Sequence, residues 1–254
     1  MFADAVKTLT KSVFPILGMR TDGKNPPWCI DCQCVGTGFF ISDFGTCLTA
    51  HHVVEAAVRS GLVHSYDGKT WLGVMTNDGT DEEGVLLNPR FYWALPVCEE
   101  KDADFCILQI IDQVKTTPAE FCERRALTGD AIGALGFPLA SYRPGQLRTF
   151  LRFFGGYVCS VGDRQLLADG RECFVYETDI MFLPGISGAP VVSHDGKLLG
   201  LVHGTHTLKD ALVTLSLVVS ANEVAKTITE SLLGDARKAI TSCHKPSHPT
   251  GPKA

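Results

Sequence analysis

Gly36 to Val54 reads GTGFFISDFGTCLTAHHVV. Two apolar runs, GTGFFIS and CLTAHHVV, flank the turn-forming cluster SDFGT. Short runs rich in Phe, Thr and Val, bounded in this way, predict strand–turn–strand. The pattern continues outward on both sides. SVFPILG precedes it, and TWLGVMT, FYWALPV and DFCILQII follow in the first half. AIGALGF, LRFFGGYVCSV, ECFVYETDI, APVVS, KLLGLVHG and LVTLSLVVS fill the second, punctuated by turn signals such as SHDGK. Short strands at regular spacing mean an all-β sandwich or barrel. DQVKTTPAEFCERRALTGD, Asp112 to Asp130, breaks the strand pattern and reads as a connector, so two β halves are expected to form two barrels with a cleft between them. One segment is helical in period: in SANEVAKTITESLLGDARKAI, Ser220 can cap the start, Val224, Ile228, Leu232 and Leu233 share a face, and Gly234 marks the stop. The expected layout is a first unit over 1–115, a connector over 116–128, a second unit over 129–220, a C-terminal helix over 221–236 and a disordered polar tail over 237–254.

The chain has 254 residues, 45% hydrophobic and 20% charged, enough for a sizeable core. Its formal net charge of −5 offers no basic footprint for nucleic acid or an anionic membrane. No apolar run approaches the roughly 20 residues of a membrane span. The opening residues MFADAVKTLTKSVFPILG lack a basic region followed by an apolar one, so no signal peptide is read and a cytoplasmic location is expected. Ten cysteines are spread along the chain, several inside apolar runs where a thiol behaves as a small buried hydrophobe. Cys29, Cys32 and Cys34 in CIDCQC have metal-like spacing. They read as three ordinary thiols rather than a zinc set, with Cys243 and His244 the one pair that could complete it. No metal and no cofactor are expected.

LPGISGAP, Leu183 to Pro190, encloses one serine between two glycines. It is either an ordinary turn or a bend that exposes Ser187 Oγ and aims backbone N–H groups at whatever Oγ attacks. Nucleophilic catalysis at serine needs a base, an acid that holds the base in one tautomer, and donors for the oxyanion. The base candidates are the adjacent His51 and His52. The acid candidate is Asp104, which enters the apolar strand FCILQI and is costly there without a hydrogen-bonding partner such as an imidazole N–H. Asp102, beside Lys101, reads as solvated. His52, Asp104 and Ser187 lie in that order, the first two in one half and the serine in the other, so they can meet only across the cleft.

These segments resemble the trypsin-like serine proteases. GTGFFISDFGTCLTAHHVV is similar to the strand–turn–strand that carries the family's catalytic histidine, with His52 at the matching position. DADFCILQI is similar to its acid segment, GDAIGALGFP to the strand opening its second barrel, and ETDIMFLPGISGAPVV to its nucleophile segment without a gap. The nearest likeness is to the bacterial HtrA/Deg-like protease domain. The resemblance implies two six-stranded antiparallel β-barrels and a serine endopeptidase acting on polypeptide. Ser187 would be the nucleophile, His52 the general base and then acid, Asp104 the orienting carboxylate, and the N–H groups of Gly185 and Ser187 the oxyanion hole. Met181, Val202 and Thr205 are expected at the substrate's primary pocket, all uncharged, which implies cleavage after apolar or small residues. His203, on the opposite face of its strand from Val202, either reaches Asp104 or packs as an ordinary strand residue. Ala189 replaces the family's usual glycine, and Ile186 stands where secreted trypsins carry an aspartate that pairs with a new N-terminus. Two other readings stay open: a catalytically silent module of the same fold used for binding or regulation, and a protease module within a larger assembly.

Overall fold

The computed structural model describes residues 2–229 except 22–28, 67–68, 83, 113, 139–140, 144–145, 149, 167–171, 208–213 and 227. A short helix, α1 (Ala3–Leu9), leads into β1 (Val13–Thr21), β2 (Cys29–Phe40) and β3 (Thr46–Thr49). A second helix, α2 (His51–Arg59), follows, and then β4 (His64–Tyr66), β5 (Lys69–Thr76), β6 (Arg90–Glu100) and β7 (Phe105–Ile110). These strands pair in the order β1-β2-β3-β7-β6-β5-β4, and β1 also pairs with β5, which closes six of them into a barrel with β4 at its margin. Beyond the connector come β8 (Ala131–Gly136), β9 (Ser141–Arg143), β10 (Gln146–Arg148), β11 (Arg152–Leu166), β12 (Glu172–Thr178), β13 (Pro190–Ser193), β14 (Leu198–Thr207) and β15 (Thr214–Ser220). The closed barrel β11-β12-β15-β14-β13-β8 is again six-stranded and antiparallel, with β9 and β10 as a separate hairpin.

The expected all-β fold of two six-stranded barrels is therefore the observed one. Apart from the HHVV half of CLTAHHVV, each apolar run named above contributes a strand, and FCILQI of β7 is buried almost throughout, as expected of a strand covered on both sides. The SDFGT turn works as the sequence implies, with Ser42 Oγ accepting the N–H groups of Phe44 and Thr46. A short helix begins at residue 221, with described helical residues as far as 229. The rest of the expected helix to 236, and the tail over 237–254, lie outside the described residues.

Two elements depart from the sequence reading. HHVV does not continue a strand but starts α2, whose Val53, Val54 and Ala57 face the core. α1, which no strong periodicity announces, sends Leu9 into the first barrel's core, and Phe2, just ahead of it, sets its ring 5.1 Å from that of Phe153 of the second. The connector runs between the barrels by backbone pairing: Ala119 N–H donates to Phe40 O, and Cys122 N–H donates to Leu198 O. It thereby touches one strand of each barrel.

Candidate active site

α2 begins without help from its own sequence. Ala50 occupies the capping position in an extended conformation and offers no side-chain oxygen. The first N–H groups of a helix need acceptors, and Asp104 supplies them from across the chain. Its carbonyl accepts from His51 N–H at 3.2 Å and its Oδ1 accepts from His52 N–H at 2.8 Å. A carboxylate at a helix N-terminus is favoured also by the helix dipole. Asp104 reaches this place from the turn before β7 by adopting φ of 50°, a left-handed conformation that Asp tolerates better than most residues.

The other carboxylate oxygen serves two imidazoles. His52 Nδ1 lies 2.7 Å and His203 Nδ1 2.5 Å from Asp104 Oδ2, with the two rings edge to face at 6.3 Å. Burial, at 6% exposure, pushes the Asp104 carboxyl up, but the hydrogen bonds from His203 and His52 and their charges outweigh it and hold it at about 2. Asp104 is thus ionised at neutral pH and can only accept. Both Nδ1 atoms must then carry the proton, and in a neutral imidazole this tautomer puts the lone pair of His52 on Nε2. The adjacent histidine points elsewhere: His51 is buried with Nε2 3.0 Å from Glu99. Of the two ways open to His203, the structure takes the one that reaches Asp104.

The Ser187 loop is clamped between the barrels. Thr37 of β2 donates its N–H to Ser187 O at 2.9 Å and its hydroxyl to Gly185 O at 2.8 Å, and the same hydroxyl accepts from Phe137 N–H at 3.0 Å. Both flanking glycines need positive φ, 96° at Gly185 and 81° at Gly188. A Cβ on Gly188 would lie 2.4 Å from Thr37 O and 2.7 Å from Ala50 N. The residue after the serine therefore abuts the start of α2, one residue ahead of the histidine pair. With both carbonyls engaged, the N–H groups of Gly185 and Ser187 donate to no acceptor among the described residues. Ser187 is part-exposed, and its Oγ makes no hydrogen bond among the described residues. Ile186 is 1% exposed in the second barrel's core, beside Gly136 and Ala189.

The expected substrate residues divide. Met181 is 78% exposed and Thr205 is exposed, whereas Val202 is 1% exposed and packed with Ile186, Ala189 and Val191. Val202 sits in the barrel core, its backbone paired with Gly188 and Ala189. Two cysteines of the CIDCQC cluster have described side chains. Cys32 packs with Leu17 and Met19, and burial pushes the Cys34 thiol up to about 12 while its S–H donates to Gly36 O. The side chain of Cys29 lies outside the described residues. The one metal-type cluster among the described residues is His52, Asp104 and His203. Sequence reasoning missed Thr37, whose position between two glycines in GTG was its only signal.

Comparison with known proteins bears on this geometry. A profile for the trypsin-like peptidase domain matches residues 36–201. The chain is 28% identical over 171 residues to the "Serine protease Do-like HtrA" of Bacillus subtilis, covering 67% of this chain and 35% of that protein. It is 24% identical over 223 residues to a "Probable periplasmic serine endoprotease DegP-like" of Rhizobium meliloti, covering 86% of this chain and 36% of that one. A protein of the same name from Ectopseudomonas mendocina is 26% identical over 209 residues, covering 82% and 37%. The chain thus spans about a third of the length of these relatives. The DegP-like relatives are named periplasmic, which overturns the expectation of a cytoplasmic protein. That expectation rested on the opening residues alone, and an export leader is a removable segment that leaves no mark on a folded domain.

Proposed function

The chain belongs to the trypsin-like peptidase domain family, and from that premise we propose that it is a serine endopeptidase acting through an acyl-enzyme on Ser187. Family and relatives make the substrate a polypeptide, and no helix among the described residues is long and apolar enough to cross a membrane. The observation that carries the proposal is the His52–Asp104 pair: an ionised carboxylate that fixes both the backbone and the tautomer of an imidazole. His52 Nε2 takes the proton of Ser187 as Oγ attacks the peptide carbonyl. The imidazolium so formed is stabilised by Asp104, and then protonates the leaving amine. The oxyanion is met by the N–H groups of Gly185 and Ser187, held by the Thr37 clamp rather than recruited during reaction. His203 is a positioning residue that holds Asp104 through the same carboxylate oxygen as His52. Residues 1–115 and 129–220 form the two barrel units, with 116–128 joining them.

Met181 and Thr205 line the approach to the scissile bond and carry no charge, so cleavage follows apolar or small residues. Digestion of casein by the purified chain tests both statements. Ser187→Ala folds but loses activity by roughly 10⁴-fold or more, and the cleavage sites of the unsubstituted chain fall after uncharged residues. Equal digestion by the Ser187→Ala variant rejects the nucleophile, and cleavage dominated by Arg, Lys or Glu rejects the pocket. One observation favours a silent module of the same fold: Ser187 Oγ is not bonded to His52. Such bonds are commonly long before substrate binds, and measurable digestion removes this alternative.

A further inference from the structure

We propose that His52, Asp104 and His203 form a binding site for a divalent transition metal of the zinc class, and that its occupation switches the peptidase off. The three ligand atoms lie within 4.8 Å of one another, and the two Nδ1 atoms approach a single oxygen, Asp104 Oδ2, from two sides. Two imidazoles and a carboxylate are the donors that suit Zn²⁺ and Co²⁺, with a fourth position left to water. Bonds of about 2.0–2.2 Å place donors in a tetrahedral site roughly 3.4 Å apart. The present separations of 2.7 and 2.5 Å must therefore open by under ~1 Å. The rings have room to do this, since the His52 and His203 side chains are 39% and 24% exposed. The carboxylate stays in place, because its other oxygen is fixed by the α2 backbone.

The proton balance explains the inhibition. Each neutral imidazole gives its Nδ1 lone pair to the metal while its proton passes through solvent to Nε2, with no net release. His52 Nε2 then bears a proton and has no lone pair left to accept one from Ser187. Binding needs only the three side chains, but inhibition rests on the serine-peptidase reading given above.

The test separates the two. Ser187→Ala protein, which cannot digest itself, is titrated with Co²⁺, and the bound metal is displaced with Zn²⁺. We expect one Co²⁺ per chain with the intense visible bands of a four-coordinate nitrogen–oxygen site. Binding weakens at least ~10-fold when His203→Ala is added. His203→Gln, whose amide still donates to Asp104 but ligates zinc poorly, gives the same loss and covers the case in which alanine unfolds. In the unsubstituted chain, Zn²⁺ inhibits digestion over the same concentration range and a chelator restores it. Absence of a stoichiometric Co²⁺ site, or binding unchanged in both His203 variants, overturns the site. Binding that depends on His203 and leaves digestion unaffected overturns its inhibitory role. A metal site in a chain with no digestion under chelator sustains the site and rejects the peptidase reading instead.

Discussion

Asp104 holds three donors at once: the His52 N–H on Oδ1, and two imidazole N–H groups on Oδ2. Its ionised form is therefore more stable in the folded chain than in the unfolded one, with a folded value of about 2. A lowered carboxyl contributes stability above its unfolded value near 4 and loses it as pH falls toward the folded value. The contribution is about 2 kcal/mol, lost between about pH 4 and 2. Asp104→Asn can still accept from α2 but has no charge. With chelator present, its stability deficit relative to the unsubstituted chain, measured by urea unfolding, should shrink by about that amount between pH 6 and pH 2. A deficit independent of pH would contradict the charged pair. Much of this residue's surroundings was legible: an acid entering FCILQI demands a partner. What the sequence could not settle was the second imidazole. Strand alternation put His203 on the right face, but its reach depends on how the two barrels close on each other.

At the scale of elements, α2 was hidden because its cap is not local. A helix start is read from Ser, Thr, Asp or Asn just ahead of it, and here Ala50 stands in that place while Asp104, distant in sequence, supplies the oxygens. The tight bend around Ser187 was legible from its glycines, yet the residue that holds it, Thr37, lies in the other barrel. Its hydroxyl both donates and accepts, so removing it strands the Gly185 carbonyl and the buried Phe137 N–H. Thr37→Val, nearly equal in shape, should cost about 1–3 kcal/mol and lower kcat with little change in KM. Thr37→Ser should restore most of both. Full turnover in the valine variant would show that the loop holds itself.

Across the whole molecule, the two closed barrels were legible as spaced apolar runs, whereas the piece that straddles them was not. α1 is only seven residues long, too short to show a period. Its placement, Leu9 in one core and Phe2 on Phe153 of the other barrel, makes it part of the fold. Ile186, buried among apolar neighbours, offers no carboxylate to a new N-terminal ammonium. Removing residues 1–11 should therefore lower Tm by on the order of 5 °C or more and raise no activity; a trimmed form that alone is active would reverse this. The central claim is that Ser187 is a nucleophile activated across the cleft by His52. Its most direct measurement is reaction of the freshly purified chain, under chelator, with a fluorophosphonate probe, followed by peptide mapping. The account predicts one probe per chain on Ser187, abolished in both Ser187→Ala and His52→Ala; an unlabelled chain, or labelling that persists in either variant, would contradict it.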